Sequence, residues 1–267
     1  MRLLPLLLAV LPLPLAAQER IPSHCLAFAE APAQVVPAAW ADPLEADTFR
    51  LHYIDHSMFL LRLPSGLNLV TDFNGFVGPT RMIPDVVTMN RAHSTHWTRA
   101  PDPAIPHVLP GWGEGGGPAD HHLDLGEVLV RNVPTDIRDG FGGAVPDGNS
   151  VFVFEAAGLC IGHLGHLHHE PTDEDYARIG RVDVALVAVD GGMTLDIPTV
   201  LATMERMRAS LVIPMHWFGR GTLEAFAAGM EEAGYRVERP GGPEVVLSRD
   251  ALPDRPTVMI LEPSWLE

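Results

Sequence analysis

From residue 48 onward the chain alternates short apolar runs with turn-forming residues, and the period of each run indicates what it builds. Phe49-Arg50-Leu51-His52-Tyr53-Ile54 alternates with period two, as a half-buried strand does. Ser57 to Leu63 predicts a second strand, Pro64-Ser65-Gly66 a turn, and Leu67 to Thr71 a third strand ending at Asp72. Strands joined so tightly run antiparallel. Asp85 to Asn90, Val182 to Val189 and Leu211-Val212-Ile213-Pro214 are largely apolar without alternation, the pattern of strands buried on both faces. Shorter strands are predicted near Glu127 to Val133, Ser150 to Phe154, Leu159 to Gly162, Val245 to Leu247 and Thr257 to Leu261.

Helical spacing enters only in the second half. Asp173-Glu174-Asp175 supplies an acidic first turn after Thr172. Ile197 to Arg208 places Val200, Leu201, Met204 and Met207 on one face, and Glu224 to Ala233 reads as a helix capped by Gly234. Pro101 to Gly117 is rich in Pro and Gly and predicts an irregular loop near a site mouth. Strand pairs first, then helices alternating with strands, predict a layered α/β sandwich for residues 48–267.

The beginning of the chain follows no such period. Met1-Arg2, the leucine-rich run to Leu15 broken by Pro5, Pro12 and Pro14, and then Ala16-Ala17 read as a secretory signal over residues 1–17. Residues 18–47 are Ala- and Pro-rich and predict an irregular arm. The expectation is therefore a periplasmic or secreted protein with no membrane attachment after cleavage. Export bears on Cys25 and Cys160: a disulfide and a buried, inert thiol at Cys160 are both open readings. The absence of a Cys-x-x-Cys pair argues against cysteine as a metal ligand.

With 18 basic against 34 acidic residues the formal net charge is -16, which argues against nucleic acid and anionic membranes as partners. A small-molecule substrate is the remaining expectation. Chemically capable groups follow the apolar strands directly: Asp72, His93 with His96, His163 with His166, Asp190, and His216. Neutral imidazoles at rigid strand ends are good ligands for zinc and similar divalent ions. His24, His52, His107, His121, His122, His168 and His169 lack that placement and read as surface or satisfied core histidines.

On these motifs the chain resembles the metallo-β-lactamase fold superfamily, and within it the branch of small metal-dependent hydrolases that includes lactonase-like proteins. Asp55-His56-Ser57 is similar to that branch's opening Gly-His-Ser segment, and Leu69-Val70-Thr71-Asp72 to its strand ending in Asp. His163-Leu164-Gly165-His166, the run from Val182 to Gly192, and Ile213-Pro214-Met215-His216 match later blocks. The resemblance implies a four-layer αβ/βα sandwich. Of the signature His-x-His-x-Asp-His, the register from Asp85 puts Arg91 at the first His, His93 at the second, Thr95 at the Asp and His96 at the last. The mid-chain histidine is missing from Val133 to Asp136, and His166 stands where the bridging Asp is expected.

A first metal site is therefore not expected. The resemblance implies a single ion, zinc foremost, on His96, His166 and His216 with His93 as a fourth ligand, where it would lower the pKa of a bound water towards ~7. Asp72 or Asp190 would orient ligand imidazoles from behind. Arg91 or His56 would stabilise charge on the substrate, and an Arg91 pairing with Asp72 or Asp136 is the structural alternative. Thr95 removes both a ligand and a proton acceptor. Two readings follow: hydrolysis of an ester, lactone, amide or phosphoester, or a non-catalytic periplasmic binding or interaction protein that keeps the fold.

Overall fold

A computed structural model of the protein describes residues 23–26, 40–139, 141 and 143–267. The predicted signal over 1–17 and most of the 18–47 arm lie outside the described residues. The antiparallel start is present: β1 (Thr48–Asp55), β2 (Met58–Arg62) and β3 (Asn68–Val70) pair in succession. Next come β4 (Val86–Met89), β5 (His107–Pro110), β6 (His122–Asp124), β7 (Val128–Arg138), β8 (Ala144–Ala156) and β9 (Leu159–His163). Helix α1 (Asp173–Ile179), β10 (Val184–Ala188), α2 (Ile197–Met207), β11 (Leu211–Met215) and α3 (Arg220–Glu232) follow, then β12 (Arg236–Glu238), β13 (Glu244–Ser248) and β14 (Thr257–Met259).

The strands form two sheets, one in the order β13-β1-β2-β3-β4-β5 and one in the order β12-β14-β11-β10-β9-β8-β7-β6. The period-two rule explains how they stack. In β1, Phe49, Leu51 and Tyr53 enter the core between the sheets while Ile54 turns to the outer face. In β10, Val184, Leu186 and Ala188 enter that same core, and Ala185 and Val187 face a second core under the helices. The unbroken apolar run is thus two interleaved faces, each buried.

The layers are those of the expected sandwich, with one difference. Helices α2 and α3 cover the outer face of the second sheet through Val200, Met204, Leu223, Phe226 and Met230. On the outer face of the first sheet the covering is coil among the described residues: Trp40, Phe73, Val77, Trp97 and Leu266 pack on Ile54, Leu60, Val70 and Met89. Aromatic and branched side chains on loops there bury the apolar face that a helix would otherwise cover.

Two local expectations are corrected. The span from Pro101 to Gly117 contains β5, a parallel partner of β4; only its Leu109 is buried, and Pro110 is tolerated because the strand lies at a sheet edge. Helix α3 starts at Arg220, not Glu224, because burial of Leu223 offsets the helix cost of Gly221. The acidic turn after Thr172 is a capping box, with Thr172 and Asp175 each accepting from the other's backbone N–H.

Cys25 and Cys160 are bonded to each other, with Cα atoms 5.7 Å apart. Glu155 reinforces the attachment, accepting from His24 N, from Ser23 Oγ and from Arg131 Nε. Residues 23–26 are thereby held against β8 and β9.

Candidate metal centre

Strand direction gathers the chemistry. β3 and β4 are parallel, as are β9, β10 and β11, so their C-terminal ends lie on common sheet edges. Asp72 follows β3, His93 and His96 follow β4, His166 follows β9, Asp190 follows β10 and His216 follows β11. β1 runs antiparallel to β2, and β2 to β3, so the β1–β2 turn emerges on the same edge and brings His56 with it.

Among the described residues seven non-glycine residues have positive φ, and three of them are at this centre: His56 (50°), Asp72 (43°) and His216 (58°). Such conformations cost about 1–3 kcal/mol each and persist where surrounding contacts over-determine them. The carbonyl of His56 is one such contact, accepting from His216 N at 2.8 Å and from the Tyr53 hydroxyl at 2.7 Å.

His93, His96, His166 and His216 converge, with ring centroids 4.5–5.6 Å apart in every pairing. His96 Nε2 lies 3.1 Å from His216 Nε2, and His93 Nε2 lies 3.2 Å from His166 Nε2. Behind them stand oxygens: His96 Nδ1 donates to Asp72 Oδ2, and His93 Nδ1 is 2.7 Å from Thr95 Oγ1. His216 Nδ1 is 2.9 Å from Asp190 Oδ2, although off the line of a good hydrogen bond.

These second contacts decide what the Nε2 atoms can do. Burial pushes the Asp72 carboxyl up to about 6, while His163 and the Asn90 amide favour its charged form. Burial would also raise Asp190, but hydrogen bonds from Thr194 and Gly192 and the contact with His216 outweigh it and hold the group below the usual carboxylate range. A carboxylate against Nδ1 keeps the proton there and leaves Nε2 a bare lone pair. If His96 and His216 instead shared a hydrogen bond through Nε2, one Nδ1 would face its carboxylate without a proton. Two lone pairs 3.1 Å apart repel unless a cation lies between them.

The donor set therefore fits a divalent ion. Zn–N bonds of about 2.0–2.1 Å in a tetrahedron put ligand nitrogens about 3.3–3.4 Å apart, close to the 3.1 and 3.2 Å within the two Nε2 pairs. Burial, with neighbouring imidazoles, lowers the pKa of His93, His96 and His166, so the rings are neutral and ready to coordinate. Asp72→Asn should leave the ion count unchanged and weaken zinc affinity about 10–100-fold, as loss of an orienting carboxylate does. Zinc titration against a competing chelator measures it.

Other residues singled out in the sequence take different places. Asp72, Asp190 and Thr95 stand behind imidazoles as positioning groups rather than at the open side. His163 is buried, donating through Nε2 to Ser57 O and accepting at Nδ1 from Gly165 N, which makes it a brace. Arg91 is exposed and its guanidinium has no partner among the described residues; Asp72 is enclosed and bonded to Asn90, and Asp136 accepts from Asp147 N, so the pairing alternative falls away. His52 is satisfied by Glu244 and Ser264 O, and His121 by Pro110 O.

His56 is the residue that ligand spacing in the sequence did not reveal. Its ring lies 4.0 Å from that of His216, and its Nε2 is buried with no partner among the described residues. With His93, His96 and His216 it forms a group whose donor atoms all lie within 4.8 Å of one another. Strand parity alone, counted from β1 to β3, would have placed it on this edge.

Gly165 makes the centre possible. At φ 60° it lets the chain turn from His163 to His166, and a Cβ there would sit 2.4 Å from Asn149 Oδ1 and Asn90 Nδ2. Those amides bond His166 N and Asp72 Oδ1. Gly165→Ala should cost about 2–4 kcal/mol, combining the left-handed penalty with displacement of buried amides; urea denaturation measures it.

Comparison with known proteins agrees with this architecture. Residues 50–216 match the family described as Beta-lactamase superfamily domain. A curated UPF0173 metal-dependent hydrolase of Nanoarchaeum equitans (strain Kin4-M) is 28% identical over 130 residues, which is 48% of this chain and 59% of that protein. A Thermotoga maritima protein of the metallo-β-lactamase superfamily superposes with TM-score 0.57 at 24% identity, covering 80% of this chain and 98% of its own. Igni18, a metallo hydrolase from Ignicoccus hospitalis, superposes with TM-score 0.53 at 19% identity, covering 75% and 99%. With a family match over more than half its length and the two-sheet architecture to go with it, the chain belongs to the beta-lactamase superfamily domain family.

Proposed function

We propose that this chain is an exported, metal-dependent hydrolase that uses one divalent ion, zinc foremost, on a small-molecule ester, lactone, amide or phosphoester. The observation that carries the reading is the clustering of four imidazoles as two close Nε2 pairs, with Asp72 behind His96, Asp190 behind His216 and Thr95 behind His93. The curated relative, of which the match spans 59%, is a metal-dependent hydrolase, and the Cys25–Cys160 bond supports an oxidising compartment.

His93, His96, His166 and His216 would hold the ion, which supplies Lewis acidity to polarise the scissile bond and acidify water. Asp72, Thr95 and Asp190 keep the imidazoles oriented. His56, whose pKa burial and the neighbouring imidazoles lower to about 2, is a neutral ring beside His216 that can hydrogen-bond a substrate oxygen. Phe218, 62% exposed and 5.4 Å from the His56 ring, gives that side an apolar rim.

One feature favours a second reading, a non-catalytic binding protein. Four imidazoles close a tetrahedral site, whereas catalytic zinc keeps a position open. Hydrolysis then requires His93, the least buried of the four, to swing away or a fifth position to form. Metal analysis of protein purified without added zinc, joined to a screen of esters, lactones and phosphodiesters with and without chelator, separates the readings. One retained ion with chelator-sensitive turnover is expected. An ion without turnover selects the second reading, and no ion overturns both.

A further inference from the structure

We infer that Arg91, Trp97 and Trp112 form the cleft that selects the substrate, and that its ligand is a flat apolar or aromatic group carrying a carboxylate or phosphate. This deepens the hydrolase reading and rests on it for the word substrate, though not for binding. The three side chains line an open cleft of about 460 Å³ with Glu114, Gly115 and Gly116, within the range of about 300–1,000 Å³ usual for small-molecule sites. The cleft and the metal centre share a loop: Arg91 is two residues before His93, and Trp97 directly follows His96. Two of the cleft's walls are thus carried by the same loop as the ligand histidines.

Each wall has a chemical meaning. The guanidinium of Arg91 is exposed and unpartnered among the described residues, and its planar fork matches a carboxylate or phosphate through two parallel hydrogen bonds. On a chain of net charge -16 an anion is repelled at long range. A fixed local cation is therefore needed to hold one.

Trp97 and Trp112 meet edge to face, 5.9 Å apart at 77°, and both are half-buried against the outer core of the first sheet. Packing holds their rings, which leaves flat apolar surface for a ligand. Gly115 (φ 72°) and Gly116 (φ 85°) also line the cleft, with open space where a Cβ would stand. Glu114 is the acid on this wall. It weakens anion binding and so supplies an internal control of opposite sign.

Calorimetric titration with phenylacetate, phenyl phosphate and benzyl alcohol tests the assignment on zinc-free and zinc-loaded protein, so that anion binding to the metal is separated from binding to the cleft. Zinc-free protein should bind at least one of the two anions, and Arg91→Gln should weaken it at least tenfold, with Arg91→Lys intermediate. Glu114→Gln should tighten it two- to threefold, and benzyl alcohol should be indifferent to both charges. The arm that binds tells carboxylate from phosphate.

Equal anion binding by wild type and Arg91→Gln overturns the assignment, as does benzyl alcohol binding as well as the anions. Anion binding without any chelator-sensitive turnover leaves the cleft and defeats the hydrolase reading. Turnover in which Arg91→Gln leaves KM unchanged for anionic relative to neutral esters defeats the cleft alone.

Discussion

His96→Ala and His216→Ala should each lose the tightly held ion expected of the unaltered protein, and with it the stabilisation that zinc would confer. An ion that binds only the folded state stabilises by about 4 kcal/mol when present at a thousand times its Kd. The unaltered protein should therefore show a large rise in Tm with added zinc, and each variant a flat response. The two residues are equivalent in this respect because their Nε2 atoms face each other at 3.1 Å, each with a carboxylate behind it. Neither variant is innocent structurally: both positions are fully buried, and His96→Ala strands the Asp72 carboxylate with Asn90. The change in Tm with zinc, not Tm itself, is therefore the readout. A folded variant that still carries one equivalent of zinc would falsify the assignment of that residue.

Reduction of the Cys25–Cys160 bond, or Cys160→Ser, costs about 5 kcal/mol of global stability in the chain-entropy account of a cross-link between residues 135 apart. The long closure matters because the bond ties residues 23–26 to β9, near the middle of the second sheet. The full cost requires that this segment remain docked after reduction. The bonds from Ser23 and His24 to Glu155, together with Arg181 N donating to Cys25 O, act to keep it there. Denaturation with and without reductant measures the difference. A loss below about 1 kcal/mol would mean that the segment detaches and the bond is a local tether.

How legible the molecule was can be argued from particular elements. β1 to β4 and β9 to β11 were readable because each carries an apolar run whose period survives in the fold. β5 was not, because a four-residue edge strand with one buried side chain leaves no periodic trace among prolines and glycines. The coil covering of the first sheet was hidden for a related reason: Trp40, Phe73, Trp97 and Leu266 are isolated in sequence and become one surface only when packed. At the centre, His93, His96, His166 and His216 announced themselves by following strands. His56 lacks ligand spacing, and its place at the metal edge follows only from counting strand direction from β1 to β3.

The amino-acid sequence by itself determined a layered α/β sandwich, because apolar strand and helix faces can be buried in few ways, and it determined which imidazoles stand at strand ends. The family resemblance implies in addition that the ligand pattern is altered at Arg91, Thr95 and His166. Only the tertiary structure decided that Asp72 and Asp190 lie behind His96 and His216, that Thr95 backs His93, and that Cys25 reaches Cys160. These are contacts between residues 2 to 135 positions apart. Proton position on an imidazole depends on the atom facing its other nitrogen, and that neighbour is set by strand pairing and sheet stacking rather than by local spacing.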